Sequence, residues 1–250
     1  MAVQLPRLVW QRATVRALIQ EAPQVKSLVL DVPNWEGHRA GQHLDVRLTA
    51  QDGYQVERSY SIASAPAEPR VTLTVERLDD GEVSPYLTDE LRPGDELELR
   101  GPIGGWFTWR PEDGGPLLLV AGGSGIAPLM AIIRQRAAVR SPVPVCLLYS
   151  SRSYEDIIYR EELDRRAAAD ADLDVAYTLT RSQPAGWQGY RRRIDRAMLE
   201  EVGWTPAERP LVFVCGPTPL VESAATACVE LGYTPGRIKT ERFGPTGGVA

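Results

Sequence analysis

The chain has 250 residues, 43% hydrophobic and 24% charged, with a formal net charge of -5. That size and balance give a folded protein with a real core, large for a single domain. The acidic balance argues against nucleic-acid binding, which favours a basic domain, and no apolar run approaches the ~20 residues needed to cross a bilayer. Three cysteines and two histidines cannot supply a four-cysteine iron–sulfur cluster or a structural zinc set, so any redox centre is an organic cofactor or belongs to a partner. Met1 to Trp10 lacks the charged-then-apolar layout of a secretory leader, and a cytoplasmic location is expected.

The first 110 residues read as strands: Val9 to Ile19, Val25 to Val32, His43 to Leu48, Val56 to Ile62 and Val71 to Arg77, each rich in β-branched residues and bounded by turn residues. Val71 to Val75 and Glu96 to Leu99 alternate as half-buried strands do. Many short strands with regular breaks predict an antiparallel barrel or sandwich. The fourth strand ends in Arg58-Ser59-Tyr60-Ser61. Tyr60 can stack on a flat aromatic ring and Arg58 can fork onto a phosphate, although an edge strand carrying an incidental cation and aromatic reads the same. Gly81-Glu82-Val83-Ser84 before Pro85 suits a phosphate at a helix start, or a surface turn capping a short helix. Gly101 to Gly105 reads as a loop closing the barrel.

Pro111 to Pro116 is a linker, dividing the chain into domains at 1–112 and 113–250. Beyond it, Leu117 to Ala121 is a continuous apolar run, as in a strand covered on both faces. A helix pattern follows with Ile126, Leu129, Met130 and Ile133 on one side. Further elements are a strand at Val143 to Ser150, a helix at Tyr159 to Ala169 and a strand at Asp174 to Leu179. A helix at Arg193 to Val202, a strand at Pro210 to Cys215 and a helix at Pro219 to Leu231 complete the series. This alternation predicts a parallel α/β sheet. Gly122-Gly123-Ser124-Gly125 lies between strand and helix, where amides and the helix dipole hold a pyrophosphate. It is not a P-loop, and Pro128 stands where the dinucleotide fingerprint wants Gly or Ala. Cys215, followed by Gly216-Pro217, sits at a strand end where such sheets bind ligands, whereas Cys146 and Cys228 read as core. Ser151-Arg152, Thr180-Arg181 and Arg191 to Arg193 cluster basic groups and hydroxyls near other strand ends. Such a cluster can hold the 2′-phosphate of NADPH, or form a solvated basic face.

Arg58-x-Tyr60-Ser61, Gly81-x-x-Ser84, Gly122-Gly-x-Gly125-Ile126-Ala-Pro128, Cys215-Gly216-Pro217 and Glu241-Arg-Phe243 occur in the order seen in the ferredoxin–NADP reductase superfamily. The chain resembles the flavin reductase modules that serve bacterial oxygenases, over residues 9–244. The resemblance implies an antiparallel Greek-key β-barrel binding flavin, followed by an α/β domain binding the nicotinamide nucleotide. It implies that Arg58 and Ser59 lie along the flavin tail, that Tyr60 stacks on the ring and that Ser61 lies near its N5. Gly81, Glu82, Val83 and Ser84 would bind the flavin pyrophosphate, which favours FAD over FMN. Gly123, Ser124, Gly125, Ile126 and Pro128 would hold the nicotinamide dinucleotide's pyrophosphate, with Cys215, Gly216 and Pro217 beside the nicotinamide. Glu241 would be an acid at the reaction centre and Phe243 an aromatic shield, making Ser61, Cys215 and Glu241 the catalytic set. The basic groups, Ser151, Arg152, Thr180, Arg181, Arg191 and Arg193, favour NADPH over NADH.

The implied activity is hydride transfer from NAD(P)H to bound FAD and electron delivery to a separate iron–sulfur protein or oxygenase. A reductase of free flavin, quinone or ferric complexes is the alternative enzyme, and a non-catalytic flavin-binding electron-transfer subunit the alternative of another class. The chain departs from the family where relatives carry a fused iron–sulfur domain, and where plant-type members end at the aromatic matched by Phe243.

Overall fold

The computed structural model describes residues 8–244, and within them two sheets meet along one junction. The first contains β1 (Trp10–Ala22), β2 (Val25–Asp31), β3 (His43–Thr49), β4 (Gln55–Ser61), β5 (Val71–Glu76) and β6 (Glu96–Ile103). These pair antiparallel in the order β4-β3-β6-β1-β2-β5. The two outer strands also meet: Ile62 bridges Leu73, and the Ala63 N–H donates to Thr72 O at 2.8 Å, which curls the sheet into a barrel. Alternation puts Leu28, Leu30, Leu44, Val46, Leu73 and Leu99 inside, fully buried. Residues 101–103, expected in a loop, belong to β6, and Ile103 pairs with His43 across β3.

The second sheet is wholly parallel, in the order β11-β10-β7-β8-β9. Its strands are β7 (Leu117–Gly122), β8 (Val145–Ser151), β9 (Leu173–Leu179), β10 (Leu211–Pro217) and β11 (Ile238–Phe243). The helices are α1 (Ile126–Ala138), α2 (Arg160–Ala169), α3 (Arg196–Val202) and α4 (Thr218–Glu230). Side chains alternate across the sheet. Leu117, Leu119 and Phe213 pack with α1 and α2, while Leu118, Val120 and Val214 pack with α3 and α4. Helix α3 starts three residues later than its pattern suggests, because Asp195 caps it, accepting the Met198 N–H at 2.8 Å. No helix of the described residues is long and apolar enough to cross a membrane.

Arg134 ties the two sheets together. From α1 its guanidinium donates to Ala63 O at 2.9 Å, just beyond β4, and to both oxygens of Glu162 on α2 at 3.1 and 2.5 Å. The same guanidinium lies 4.9 Å from the centre of the Tyr159 ring, whose hydroxyl bonds Thr74 on β5. Burial works against the Arg134 charge, yet Glu162 outweighs it and raises the guanidinium's pKa. Replacing Arg134 with Leu strands a half-buried carboxylate, although Arg166 keeps one contact to it at 2.8 Å. The expected loss is about 3 kcal/mol of stability by urea denaturation; a loss below about 1 kcal/mol would mean that apolar packing alone holds the junction.

Candidate functional site

Ser61 closes β4 opposite His43 on β3. It is 4% exposed, and its Oγ has no hydrogen-bond partner. Across the junction, β10 and β11 place Cys215 beside Glu241. Nδ1 of His43 lies 3.9 Å from Oε1 of Glu241, too far for a hydrogen bond, while Oε2 of Glu241 is buried without a partner. Burial pushes the Glu241 carboxyl up to about 7 and lowers the His43 imidazole, so at neutral pH the imidazole is mostly uncharged, the carboxyl is about half ionised, and the two do not stand as an ion pair. Burial also pushes the Cys215 thiol well up, with the neighbouring Glu241 adding to it. The result is a partly buried junction holding a thiol, a hydroxyl, an imidazole and a carboxyl that exchanges its proton near pH 7.

The glycine turn reaches the same place. Residues Gly123–Gly125 form a 3₁₀ turn from β7 into α1, with Gly123 at φ 53°. A Cβ on Gly125 would lie 2.3 Å from the Cys215 carbonyl oxygen, so only glycine lets this turn rest on the end of β10. Tyr149 donates its hydroxyl to Gly123 O at 3.1 Å. The Ser124 hydroxyl donates to Glu76 at the end of β5 at 2.8 Å, and Arg152 lies 3.8 Å from the other oxygen of that carboxylate. Ile126 and Pro128 are buried with α1, so they shape the turn rather than face its mouth.

Arg58 and Tyr60 share the β4 face opposite to Ser59 and Ser61. Arg58 is exposed, donating to Glu57 O at 2.8 Å and approaching Glu82 at 3.4 Å. Tyr60 is half-buried at the fringe of the barrel core, and burial pushes its phenol up to about 12. Ser59 instead donates to Asp45 at 2.7 Å. Gly81 to Ser84 makes a tight turn in which the Ser84 hydroxyl accepts the Leu78 N–H at 3.0 Å and Val83 plugs the barrel. A short helix follows, α-type at Ser84 and Pro85 and π-type over Tyr86–Glu90, so the turn stands at a helix start; Pro93 and Gly94 keep the helix short.

Thr180 donates its N–H and hydroxyl to Ser151 O at 3.0 and 3.1 Å, and the Arg181 N–H donates to Arg152 O at 2.9 Å. Tyr190 pairs parallel beside Thr178, bringing Arg191 and Arg193 to that end of β9. The Arg152 head reaches Glu76 at the junction, and the Arg191 guanidinium donates to Trp187 O at 2.9 Å. Gly216 and Pro217 end β10, Pro217 beside a half-buried Phe243 on β11. The tail after Gly244, which departs from the plant-type pattern, lies outside the described residues. His43 and Glu76 were not singled out from sequence. The register of β3 on β4 is the signal that finds His43; nothing local marks Glu76.

Among the described residues no cluster of His, Cys, Asp and Glu can hold a metal. Two buried polar atoms without partners, an exposed arginine and a glycine cradle fit a flat hydrogen-bonding ring with an anionic tail. Comparisons with known proteins agree with that donor set. Residues 13–108 match the oxidoreductase FAD-binding domain family and residues 119–226 the oxidoreductase NAD-binding domain family. Ferredoxin–NADP reductase B of Sorangium cellulosum is 34% identical over 242 residues, covering 94% of this chain and 90% of the relative. The glycine betaine monooxygenase reductase subunit of Pseudomonas aeruginosa is 33% identical over 92% of this chain, which spans only 63% of that relative's length. Among solved structures, a cytochrome P450 reductase of Amycolatopsis superposes with a TM-score of 0.81 at 28% identity, over 95% of this chain and 71% of its own. The FAD/NAD-binding domain of a Vibrio cholerae nitric oxide dioxygenase shares the fold, with a TM-score of 0.84 at 23% identity, covering 94% and 99% of the two chains.

The Glu241 carboxyl titrates near 7 in the fold and near the ordinary 4.5 when unfolded, so ionising it costs stability as pH rises from 4.5 to 7. Replacing Glu241 with Gln removes that cost. The variant is expected to gain on the native chain by up to about 3 kcal/mol between pH 5 and pH 8 in urea denaturation. A stability difference that does not change with pH would place the carboxyl in water.

Proposed function

The chain belongs to the ferredoxin–NADP reductase family of FAD- and NAD-binding oxidoreductases, and from that premise we propose that it takes hydride from NADPH or NADH and delivers electrons to a separate iron–sulfur protein or oxygenase. Bound FAD supplies a ring that accepts a hydride and gives its electrons up singly. The barrel, residues 1–112, holds the flavin, and residues 113–250 hold the nicotinamide nucleotide. The observation that carries the reading is the pair of partnerless buried atoms, Ser61 Oγ and Glu241 Oε2, on the two sides of the junction.

Each residue then has a physical task. Arg58 holds a flavin phosphate, and Tyr60 offers its ring face. Ser59 and the Gly81 to Ser84 turn complete the tail site through backbone groups, with Val83 anchoring the turn. This pyrophosphate-sized site supports FAD over FMN. Ser61 turns its free hydroxyl to the ring edge, and Cys215, kept a neutral thiol by burial, closes the junction to water. Glu241, raised by burial to about 7, exchanges its proton near neutral pH, so it can donate a hydrogen bond there when protonated. Gly123 to Gly125 receives the dinucleotide's pyrophosphate, with Ile126 and Pro128 shaping the turn behind it. Arg181, Arg191 and Arg193, with Ser151 and Thr180, support NADPH over NADH. Phe243, Gly216 and Pro217 border the nicotinamide side. The names of the Sorangium and Pseudomonas relatives support a ferredoxin or oxygenase component as the acceptor.

The test is an absorbance spectrum of the purified protein, followed anaerobically during titration with NADPH and then NADH. A flavin spectrum that bleaches faster with NADPH is expected, and a protein that takes up neither FAD nor FMN sinks the reading. Replacing Arg58 or Tyr60 with Ala should weaken FAD retention by about tenfold to a hundredfold, read by ultrafiltration of the released flavin. Replacing Cys215 with Ala should slow bleaching while FAD stays bound; an unchanged rate returns Cys215 to a packing role.

A further inference from the structure

We propose that Glu76 sets the affinity of the nucleotide site by acting as an internal competitor: its carboxylate takes the donors at the glycine turn that the dinucleotide's phosphates require. The proposal rests on the assignment of Gly123 to Pro128 to the nicotinamide dinucleotide. Glu76 belongs to the barrel, as the last residue of β5, yet it reaches across the junction to the turn. Its Oε2 accepts the Ser124 hydroxyl at 2.8 Å and lies 3.8 Å from where a Cβ on Gly123 would stand. Its Oε1 lies 3.8 Å from Nη2 of Arg152.

Ser124 has one hydroxyl proton, and it is already given to Glu76. Arg152 is the only cation paired with this carboxylate among the described residues, because the next residue, Arg77, is occupied by Asp79 and Asp89. An arriving phosphate therefore meets a carboxylate that shares its sign, holds the Ser124 proton and partly neutralises the Arg152 charge. Ser124 can serve the phosphate only by turning its proton away from Glu76, whereas Arg152, which at 3.8 Å makes no hydrogen bond to Glu76, keeps its donors and shares only its charge with the carboxylate; a bound phosphate then stands beside a second anion. The arrangement differs from a plain domain tether in what it does with charge. A glutamine at 76 keeps an oxygen for the Ser124 hydroxyl, so the junction holds, but it removes the repulsion and frees Arg152.

The experiment is calorimetric titration of ADP-ribose into the FAD-loaded protein, native and Glu76→Gln, at low and at physiological salt. ADP-ribose carries the pyrophosphate without the nicotinamide and reports this half of the site alone. The Gln variant is expected to bind about tenfold more tightly at low salt, with the gain shrinking as salt screens the exposed Arg152. Adding Arg152→Ala to the Gln variant should remove most of the gain. Glu76→Ala serves as the second variant and should tighten binding in the same direction even where Gln packs badly. Equal or weaker binding in both folded variants overturns the proposal while leaving the function above intact. No ADP-ribose binding to any of the proteins overturns both.

Discussion

The Arg134 guanidinium is the constraint on which the rest of the molecule depends. It stands in α1, about 12 Å along the helix from the end of the Gly123 to Gly125 turn, and it holds the carbonyl of Ala63, two residues past Ser61. One side chain thus sets the distance between the strand end that carries the free hydroxyl and the helix that opens at the glycine turn. Glu162 and the Tyr159 ring fix its orientation, and Thr74 carries the linkage back into β5, the strand that ends in Glu76. Both sheets are separately plausible structures. Chemistry between them requires their edges to be registered, and a charged group buried between two domains does this better than apolar contact because its geometry is directional.

Electrostatics at the junction follow a common theme, in which carboxylates hold places near groups suited to anions. Glu82 approaches Arg58, Glu76 occupies Ser124 and Arg152, and Glu241 stands beside Cys215 and His43. The first is exposed and cheap to displace. The second is half-buried and tied to the turn. The third is pushed by burial to about 7, so near neutral pH it alternates between hydrogen-bond donor and anion. Three chemically identical groups therefore act differently: Glu82 is the most exposed, and of the two half-buried ones Glu76 has a hydroxyl partner while Oε2 of Glu241 has none.

Much of this was legible in the chain. The run Leu117 to Ala121 could only be a strand covered on both faces, and it is fully buried. The strand at Arg58 to Ser61 and the turn at Gly122 to Gly125 fall where their patterns put them. Strand β11 was not legible, because Ile238-Lys-Thr-Glu-Arg-Phe243 carries three charged residues and pairs only with β10, so it lacks the apolar signature of an interior strand. The short helix after the Gly81 turn begins at Ser84, as its pattern suggests, but continues as a π-type turn over Tyr86–Glu90, which no local signal marks. The pairs His43 with Glu241 and Glu76 with Ser124 join residues far apart in sequence, and spacing holds no record of contacts that only tertiary packing creates. The functional roles rest on what the side chains offer at these positions rather than on their spacing.

The burial of all three cysteines bears on chemical durability. Cys146, Cys215 and Cys228 are free thiols, and burial raises each one's pKa, so little thiolate exists at neutral pH. Thiolate is the form that peroxide oxidises and that exchanges with disulfides. Among the described residues, the three cysteines and Met130 and Met198 are all buried, so their sulfurs are shielded from peroxide. The thiol at the junction is thereby preserved by the same desolvation that makes it a poor nucleophile.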